Sequence, residues 1–254
     1  MSALLGGVYL VGAGPGAADL LTLRAARLLG EADVVFHDAL VPAPILALAA
    51  RAQKVAVGKR CGRHSTAQRF INKRLADAAR QHRIVVRLKG GDPMLFGRAH
   101  EELGYLRAQG VRVEVVPGVT AALAAAAQMA VSLTRRGVAR SVTFVTPRQG
   151  AGEAPNDWMR SVLAADTSAI YMGAGDAGAI AQALLGAGKR AGTPVAIVEN
   201  ASLPEGRTVH GILDELPALA AQVGGGPALI VLGEVLSEAA SAAARATGRK
   251  AQVR

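Results

Sequence analysis

The sequence predicts an α/β fold built as two α/β domains. Three observations carry that prediction. Short apolar or β-branched runs alternate with longer stretches of helical periodicity, glycine-rich turns follow several of those runs, and the alternation restarts after Pro117-Gly118. In order, the strand-like runs of the first half fall at residues 8–11, 33–36, 54–57, 84–88 and 113–116, and helices fill residues 19–30, 42–51, 65–82 and 97–110. Past the turn, strands are expected at residues 142–145, 169–172, 195–199, 208–211 and 228–232. The first half reads as a parallel sheet, whereas the close spacing of the last three strands permits antiparallel pairing. The domains are drawn at residues 1–118 and 119–240, with 241–254 as a basic tail holding Arg245, Arg249, Lys250 and Arg254. No sequence repeat relates the halves.

Composition narrows the function classes. The chain has 254 residues, of which 51% are hydrophobic and 19% charged, with 30 glycines and 11 prolines, so disorder and collagen-like classes fall away. Cys61 is the one cysteine, which excludes an intrachain disulfide and a cysteine-pair metal site and fits a reducing cytoplasm. Gly6 and Gly7 interrupt the apolar start, so a cleaved leader is not expected. Residues 119–133 are mostly alanine and too weakly apolar to span a membrane, and read as a buried helix. Net charge is +10, and residues 51–98 carry thirteen lysines and arginines against Asp77 and Asp92 alone. Such a field favours a polyanionic partner. The histidines His37, His64, His82, His100 and His210 lack the spacing of a helical zinc site.

The punctuation is the most informative feature. Gly12-Ala13-Gly14-Pro15-Gly16, Lys89-Gly90-Gly91-Asp92-Pro93 and Pro117-Gly118-Val119-Thr120 each follow a strand-like run. In open α/β sheets ligands bind beyond the carboxyl ends of strands, where glycine lets the backbone approach closely. Gly12-x-Gly14-x-x-Ala17, with Asp38 after the second strand, satisfies a dinucleotide fingerprint in form, which keeps an NAD-binding oxidoreductase open. Against it, Pro15 has no N–H to offer a phosphate. A P-loop fails, because Gly58-Lys59 is followed by Arg60 rather than Ser or Thr.

Taken with these turns, the segments Leu20-Leu21-Thr22-Leu23, His37-Asp38-Ala39-Leu40-Val41, Val57-Gly58-Lys59-Arg60, Arg87-Leu88-Lys89-Gly90-Gly91-Asp92-Pro93, Phe96-Gly97-Arg98 and Glu101-Glu102 resemble the uroporphyrinogen-III C-methyltransferase family. Tyr171-Met172, Glu199-Asn200-Ala201 and Gly233-Glu234-Val235 extend the resemblance over residues 8–236. It implies a tetrapyrrole methylase, or class III methyltransferase-like, architecture: a homodimer in which S-adenosyl-L-methionine occupies a cleft between two α/β domains. The implied reaction methylates uroporphyrinogen III twice to give precorrin-2, leaving S-adenosyl-L-homocysteine. The sulfonium is an activated methyl donor, so positioning supplies most of the rate and no metal is implied.

Carried over by residue, the implied cofactor contacts are Pro15, Gly90, Gly91, Asp92, Leu95, Thr120, Ala121, Met172, Ala201 and Ala228. Asp92 would accept from an amine or hydroxyl, cap a helix before Pro93, or both. The substrate's eight carboxylates suit the basic region, with Arg60, Arg63, His64 and Arg69 as substrate contacts. Asp38, Lys59 and Arg98 are the implied catalytic set, since a proton leaves the macrocycle after methyl transfer. Arg98 is the more natural orienter of carboxylates. An alternative role for Asp38 is to cap the helix beginning near Pro42.

This chain departs from the family pattern at Thr134-Arg135-Arg136, Thr146-Pro147-Arg148 and Arg98-Ala99-His100, where histidines or a glycine pair are usual. These changes bear on substrate choice and the second methylation. Another methyltransferase of the same fold, acting on a later corrinoid precursor or on an RNA 2′-hydroxyl, is the alternative. Nucleic acid is disfavoured because aromatics, which would stack on bases, are only 3%. No membrane partner is expected.

Overall fold

The computed structural model describes residues 6–58, 68–150, 154, 156–242 and 245. They form two compact units, Met1–Ala121 and Ala122–Arg254. In the first, β1 (Gly7–Gly12), β2 (Val34–His37), β3 (Gln53–Ala56), β4 (Ile84–Lys89) and β5 (Arg112–Val116) make one sheet in the order β3-β2-β4-β1-β5. Every pairing is parallel, with Leu10 opposite Arg87 and Val115. All five carboxyl ends therefore lie at one edge, and β4, β1 and β5 are neighbours there.

Alternating side chains along these strands feed two cores, as a sheet covered on both faces requires. Val8, Leu10, Val34, Phe36 and Val85 pack against α3 (Gln68–Ala79) and α4 (Ala99–Ala108) through Ile71, Leu75, Leu103 and Leu106. Val11, Val35, Val86 and Leu88 face the other way, onto α1 (Leu23–Glu31) and α2 (Ala43–Ala47) through Leu28, Leu29 and Ile45.

The helix expected over residues 19–30 is broken. A short 3-10 turn, Ala18–Leu20, precedes it, and the Thr22 hydroxyl accepts the Ala25 N–H at 3.1 Å, which starts α1 afresh. The one expected over residues 97–110 starts only at Ala99, because Arg98 adopts a left-handed conformation with φ of 55°. The helix at residues 42–51 ends at Ala47 in turns. Within residues 119–133 the helix is α5 (Ala121–Met129), buried along one face through Ala122, Ala124 and Ala125 while Leu123 is exposed.

The second unit is built on β6 (Val142–Val145), β7 (Thr167–Tyr171), β8 (Pro194–Glu199), β9 (Arg207–Ile212) and β10 (Ala228–Gly233), in the order β6-β7-β10-β8-β9. Only β6 and β7 run parallel; the remaining pairings are antiparallel, as the short connections between the last three strands allow. One core joins Ile170, Ile197 and Ile230 to α6 (Trp158–Ala164), α7 (Ala177–Gly186) and α8 (Leu216–Ala220) through Val162, Leu184 and Leu216. Among the described residues no helix is long and apolar enough to cross a membrane.

Candidate functional site

The strand order of the first sheet decides which turns meet. With β1 between β4 and β5, the turns after all three come together at the carboxyl edge. They are in backbone contact: Gly91 N–H donates to the Gly14 carbonyl at 2.7 Å, Gly14 N–H returns to the Gly91 carbonyl at 3.2 Å, and Ala13 N–H donates to the Lys89 carbonyl at 2.7 Å. A Cβ on Gly12 would lie 2.6 Å from the Gly118 Cα, and one on Gly118 would strike the Gly91 carbonyl. Gly14 and Gly91 hold φ of 68° and 67°, the left-handed region that glycine enters without penalty.

Asp92 ties the third turn to the second. Its Oδ2 accepts the Gly118 N–H at 2.9 Å and its Oδ1 accepts the Met94 N–H at 2.8 Å across Pro93. No helix begins at Pro93, since residues 93–97 form turns and α4 starts only at Ala99, so the carboxylate caps a turn instead of the helix expected there and bridges two turns as well. Leu95 donates its N–H to the Asp92 carbonyl. Thr120 sits beside Gly91, where an added Cβ would lie 4.0 Å from the Thr120 Cα.

Of the ten expected cofactor contacts, Pro15, Gly90, Gly91, Asp92, Leu95, Thr120 and Ala121 belong to the first unit. The other three gather at one edge of the second sheet. Met172 follows β7, Ala201 follows β8, and Ala228 opens β10 opposite Glu199. The Glu199 carboxylate, 2% exposed, accepts N–H groups from Gly226 at 2.6 Å and Gly224 at 2.8 Å, and Asn200 N–H donates to the Pro227 carbonyl. Met172, Asn200 and Ser202 all hold left-handed φ values, of 56°, 50° and 73°. Such conformations cost about 1–3 kcal/mol each and persist where surrounding structure imposes them.

A dinucleotide pyrophosphate does not suit the first turn. Its phosphates would need outward N–H donors, yet the Ala13 and Gly14 N–H groups are engaged by β4 and its turn, and Pro15 has none. The same turns fit S-adenosylmethionine, whose ammonium and hydroxyl groups call for carboxylate and carbonyl oxygens and whose close approach favours backbone without Cβ.

Asp38, the other acid of the fingerprint, is not a helix cap: α2 begins after Pro42 with no side-chain cap. Its Oδ1 accepts from the Arg87 Nη2 at 2.5 Å, and its side chain stays 29% exposed. Arg87, on β4, is buried and also donates Nε to the Glu102 Oε1 at 3.0 Å and Nη1 to the Leu88 carbonyl at 3.1 Å. Glu102, on α4 and fully buried, accepts in addition from the Lys89 Nζ at 3.2 and 3.3 Å and from the Gln68 Nε2 at 3.0 Å. Burial, reinforced by the neighbouring Arg87 charge, holds the Lys89 ammonium below its ordinary pKa, and Glu102 and Asp38 oppose that shift. Four charges of balanced sign thus lie directly beneath the Gly90–Asp92 turn.

This network corrects the reading of charge. Arg87 and Lys89 are internal and neutralised, and Lys73 and Arg80 pair with Asp77 on the surface, so the exposed excess is smaller than the count over residues 51–98 suggests. Arg98 is exposed and held by Glu101 through bonds of 2.7 and 2.8 Å. Arg69 is exposed on α3, its guanidinium 4.9 Å from the Phe70 ring. Lys59, Arg60, Arg63 and His64, together with Cys61, lie outside the described residues. Of the departures from the family pattern, Arg135 pairs with Glu238 at 2.8 Å.

Residues 7–217 match the family described as Tetrapyrrole (Corrin/Porphyrin) Methylases. The chain belongs to that family. Among curated relatives it is 48% identical over 233 residues to a siroheme synthase of Chromobacterium violaceum, covering 91% of this chain and 50% of that protein. A siroheme synthase of Zymomonas mobilis is 46% identical, with coverages of 91% and 49%. The chain thus spans about half the length of the curated relatives it matches. Among solved structures, uroporphyrin-III C-methyltransferase from Thermus thermophilus, complexed with S-adenosylhomocysteine, superposes with a TM-score of 0.81 at 45% identity, covering 91% of this chain and 99% of that one.

Proposed function

We propose that this chain methylates uroporphyrinogen III at two pyrrole carbons to give precorrin-2, with S-adenosylmethionine as donor. The observation that carries the reading is the meeting of three glycine turns on Asp92, at a sheet edge where the Ala13, Gly14, Gly91 and Gly118 N–H groups are already engaged and Pro15 has none to offer a phosphate. The Thermus enzyme, similar over nearly its whole length, holds the demethylated donor.

When bound, the cofactor supplies a methyl group activated by its sulfonium, the carbon–sulfur bond breaking toward sulfur as the new carbon–carbon bond forms. Asp92 and the turns of residues 12–16, 90–92 and 118–120 fix the donor, with Met172, Ala201 and Ala228 as the contacts proposed from the second unit. Fixing reactants in line is the main source of rate for such a displacement. Asp38 takes the proton that leaves the methylated macrocycle and becomes neutral. Lys59 is the second acid/base group of this reading, and Arg98, aimed by Glu101, orients a substrate carboxylate, with Arg60, Arg63, His64 and Arg69 as the further substrate contacts. The protein acts as a cytoplasmic homodimer in this reading.

Mass spectrometry of the product formed from uroporphyrinogen III tests it. A product heavier by two methylene units is expected. A gain of one unit removes the second methylation, and an unchanged substrate with donor present contradicts the reading.

A further inference from the structure

Arg87 has a geometry that fold stability alone does not call for. It stands on β4, the central strand whose six residues are all buried, at a position where a valine or leucine would pack without charge. Replacing such buried ion groups by well-packed apolar residues is often neutral or stabilising, so their presence asks for another explanation. All three nitrogens of its guanidinium are engaged, by the Glu102 carboxylate, the Leu88 carbonyl and the Asp38 carboxylate. A planar group bonded on three sides has no rotational freedom left. Glu102 is itself fixed by Lys89 and by Gln68, and Gln68 also donates to the Asn72 side chain at 3.0 Å. The chain of contacts thus runs from the rigid interior of β4, α3 and α4 outward and ends on Asp38, the partly exposed carboxylate of this network.

We infer that Arg87, clamped by Glu102 and Lys89, is a positioning residue that fixes the Asp38 carboxylate for its proton transfer. The inference rests on the reading of Asp38 as the proton acceptor. In that step one proton passes from a carbon of the methylated macrocycle to the Asp38 carboxylate, whose charge goes from −1 to zero, while Arg87 keeps its own protons throughout. Arg87 holds Oδ1 from the interior side, so the carboxylate cannot swing away between turnovers. Because Lys89 leads directly into Gly90-Gly91-Asp92 and its carbonyl accepts from Ala13, the same clamp sets the acceptor in register with the donor-binding turns.

The test compares five forms of the full-length chain: wild type, Arg87→Met, Arg87→Gln, Asp38→Asn, and Arg87→Met combined with Asp38→Asn. Both single Arg87 variants leave the buried Glu102 paired with Lys89, and the Arg87→Gln amide still offers hydrogen bonds, so it keeps the test valid if Arg87→Met fails to fold. Expected in the folded variants are a fall in kcat of about 10- to 100-fold with KM for uroporphyrinogen III within about twofold. Affinity for S-adenosylhomocysteine is expected to stay near that of wild type. The Arg87 substitution is expected to have no further effect in the Asp38→Asn background, where there is no carboxylate to position. Wild-type kcat in folded Arg87→Met or Arg87→Gln beside an inactive Asp38→Asn overturns the positioning role while leaving Asp38 as acceptor. Wild-type turnover in Asp38→Asn overturns both.

Discussion

The two sheets each bring their share of the proposed cofactor contacts to an edge, by different routes. In the first, every strand is parallel, so every carboxyl end and every turn that follows one falls on the same side. In the second, β10 runs against both neighbours, and its first residue, Ala228, arrives at the edge where β7 and β8 end. Each edge is then fastened by one carboxylate accepting two backbone N–H groups. Asp92 takes Gly118 and Met94, and Glu199 takes Gly224 and Gly226. The difference is burial. Glu199 is 2% exposed, whereas Asp92 keeps partial exposure at the meeting of three turns. The same fastening therefore serves structure in one unit and is available to a ligand in the other.

Substituting the two carboxylates separates these roles most strongly. Asp92→Ala is expected to weaken S-adenosylhomocysteine binding by about 100-fold, since two turns lose their tie and the ligand loses an acceptor. Glu199→Ala is expected to lower stability by about 1–3 kcal/mol, because two N–H groups are left without their acceptor. Chemical denaturation and calorimetry on both variants check the pair. Equal losses of affinity would erase the distinction.

Two glycines divide the units in the same way. A Cβ on Gly12 would meet backbone atoms of Gly118 at 2.6 Å, and one on Gly173, which follows β7 and Met172, would meet the Ile180 Cδ1 at 2.7 Å. Backbone cannot yield without moving a turn, whereas an isoleucine terminus can rotate. Gly12→Ala is therefore expected to cost about 1–3 kcal/mol and Gly173→Ala less, by thermal or urea unfolding.

Smaller effects follow from paired aspartates at the opposite strand ends. Asp33 accepts the Arg83 and Ile84 N–H groups at 2.9 and 2.8 Å, and Asp166 accepts those of Arg140 and Ser141 at 2.8 and 3.0 Å. These donors, with the Ser141 hydroxyl, hold the Asp166 carboxyl below its ordinary 3.8. The unfolded chain takes up that proton first, so the Asp166 contribution is present above pH 3.8 and is lost as pH falls through the lowered value. Asp166→Asn is expected to flatten the acid limb of stability in urea titrations.

His210 on β9 should give the smallest change. Its Nδ1 is buried without a hydrogen-bond partner, and burial lowers its pKa from 6.5. The folded state resists protonation that the unfolded state accepts, so its share of stability is full above pH 6.5 and declines as pH falls below it. His210→Gln is expected to lessen that decline between neutral pH and about pH 5, measured by thermal unfolding.

Much of this architecture is legible in the sequence, because strand-like runs followed by glycine announce both the element and its carboxyl end. All ten strands lie within two residues of where periodicity sets them. Helix starts are less legible. Thr22 reads as part of a continuous period until its hydroxyl is seen to cap α1, and Arg98 gives no sign of its left-handed backbone. The ion network is the largest omission. Asp38 and Arg87 are 49 residues apart, and only the parallel register of β2 and β4 makes them neighbours. A signal exists in retrospect: two cations at alternate positions, Arg87 and Lys89, interrupt an otherwise apolar strand and require a buried anion, which Glu102 supplies.

The proposed function stands on the edge formed by β4, β1 and β5 gripping a sulfonium donor and not a pyridine nucleotide. Calorimetric titration of the protein with S-adenosylhomocysteine and, separately, with NAD measures this directly. Saturable binding of S-adenosylhomocysteine, with no heat from NAD, is the predicted result. Binding of NAD, or silence toward S-adenosylhomocysteine in folded protein, would contradict it.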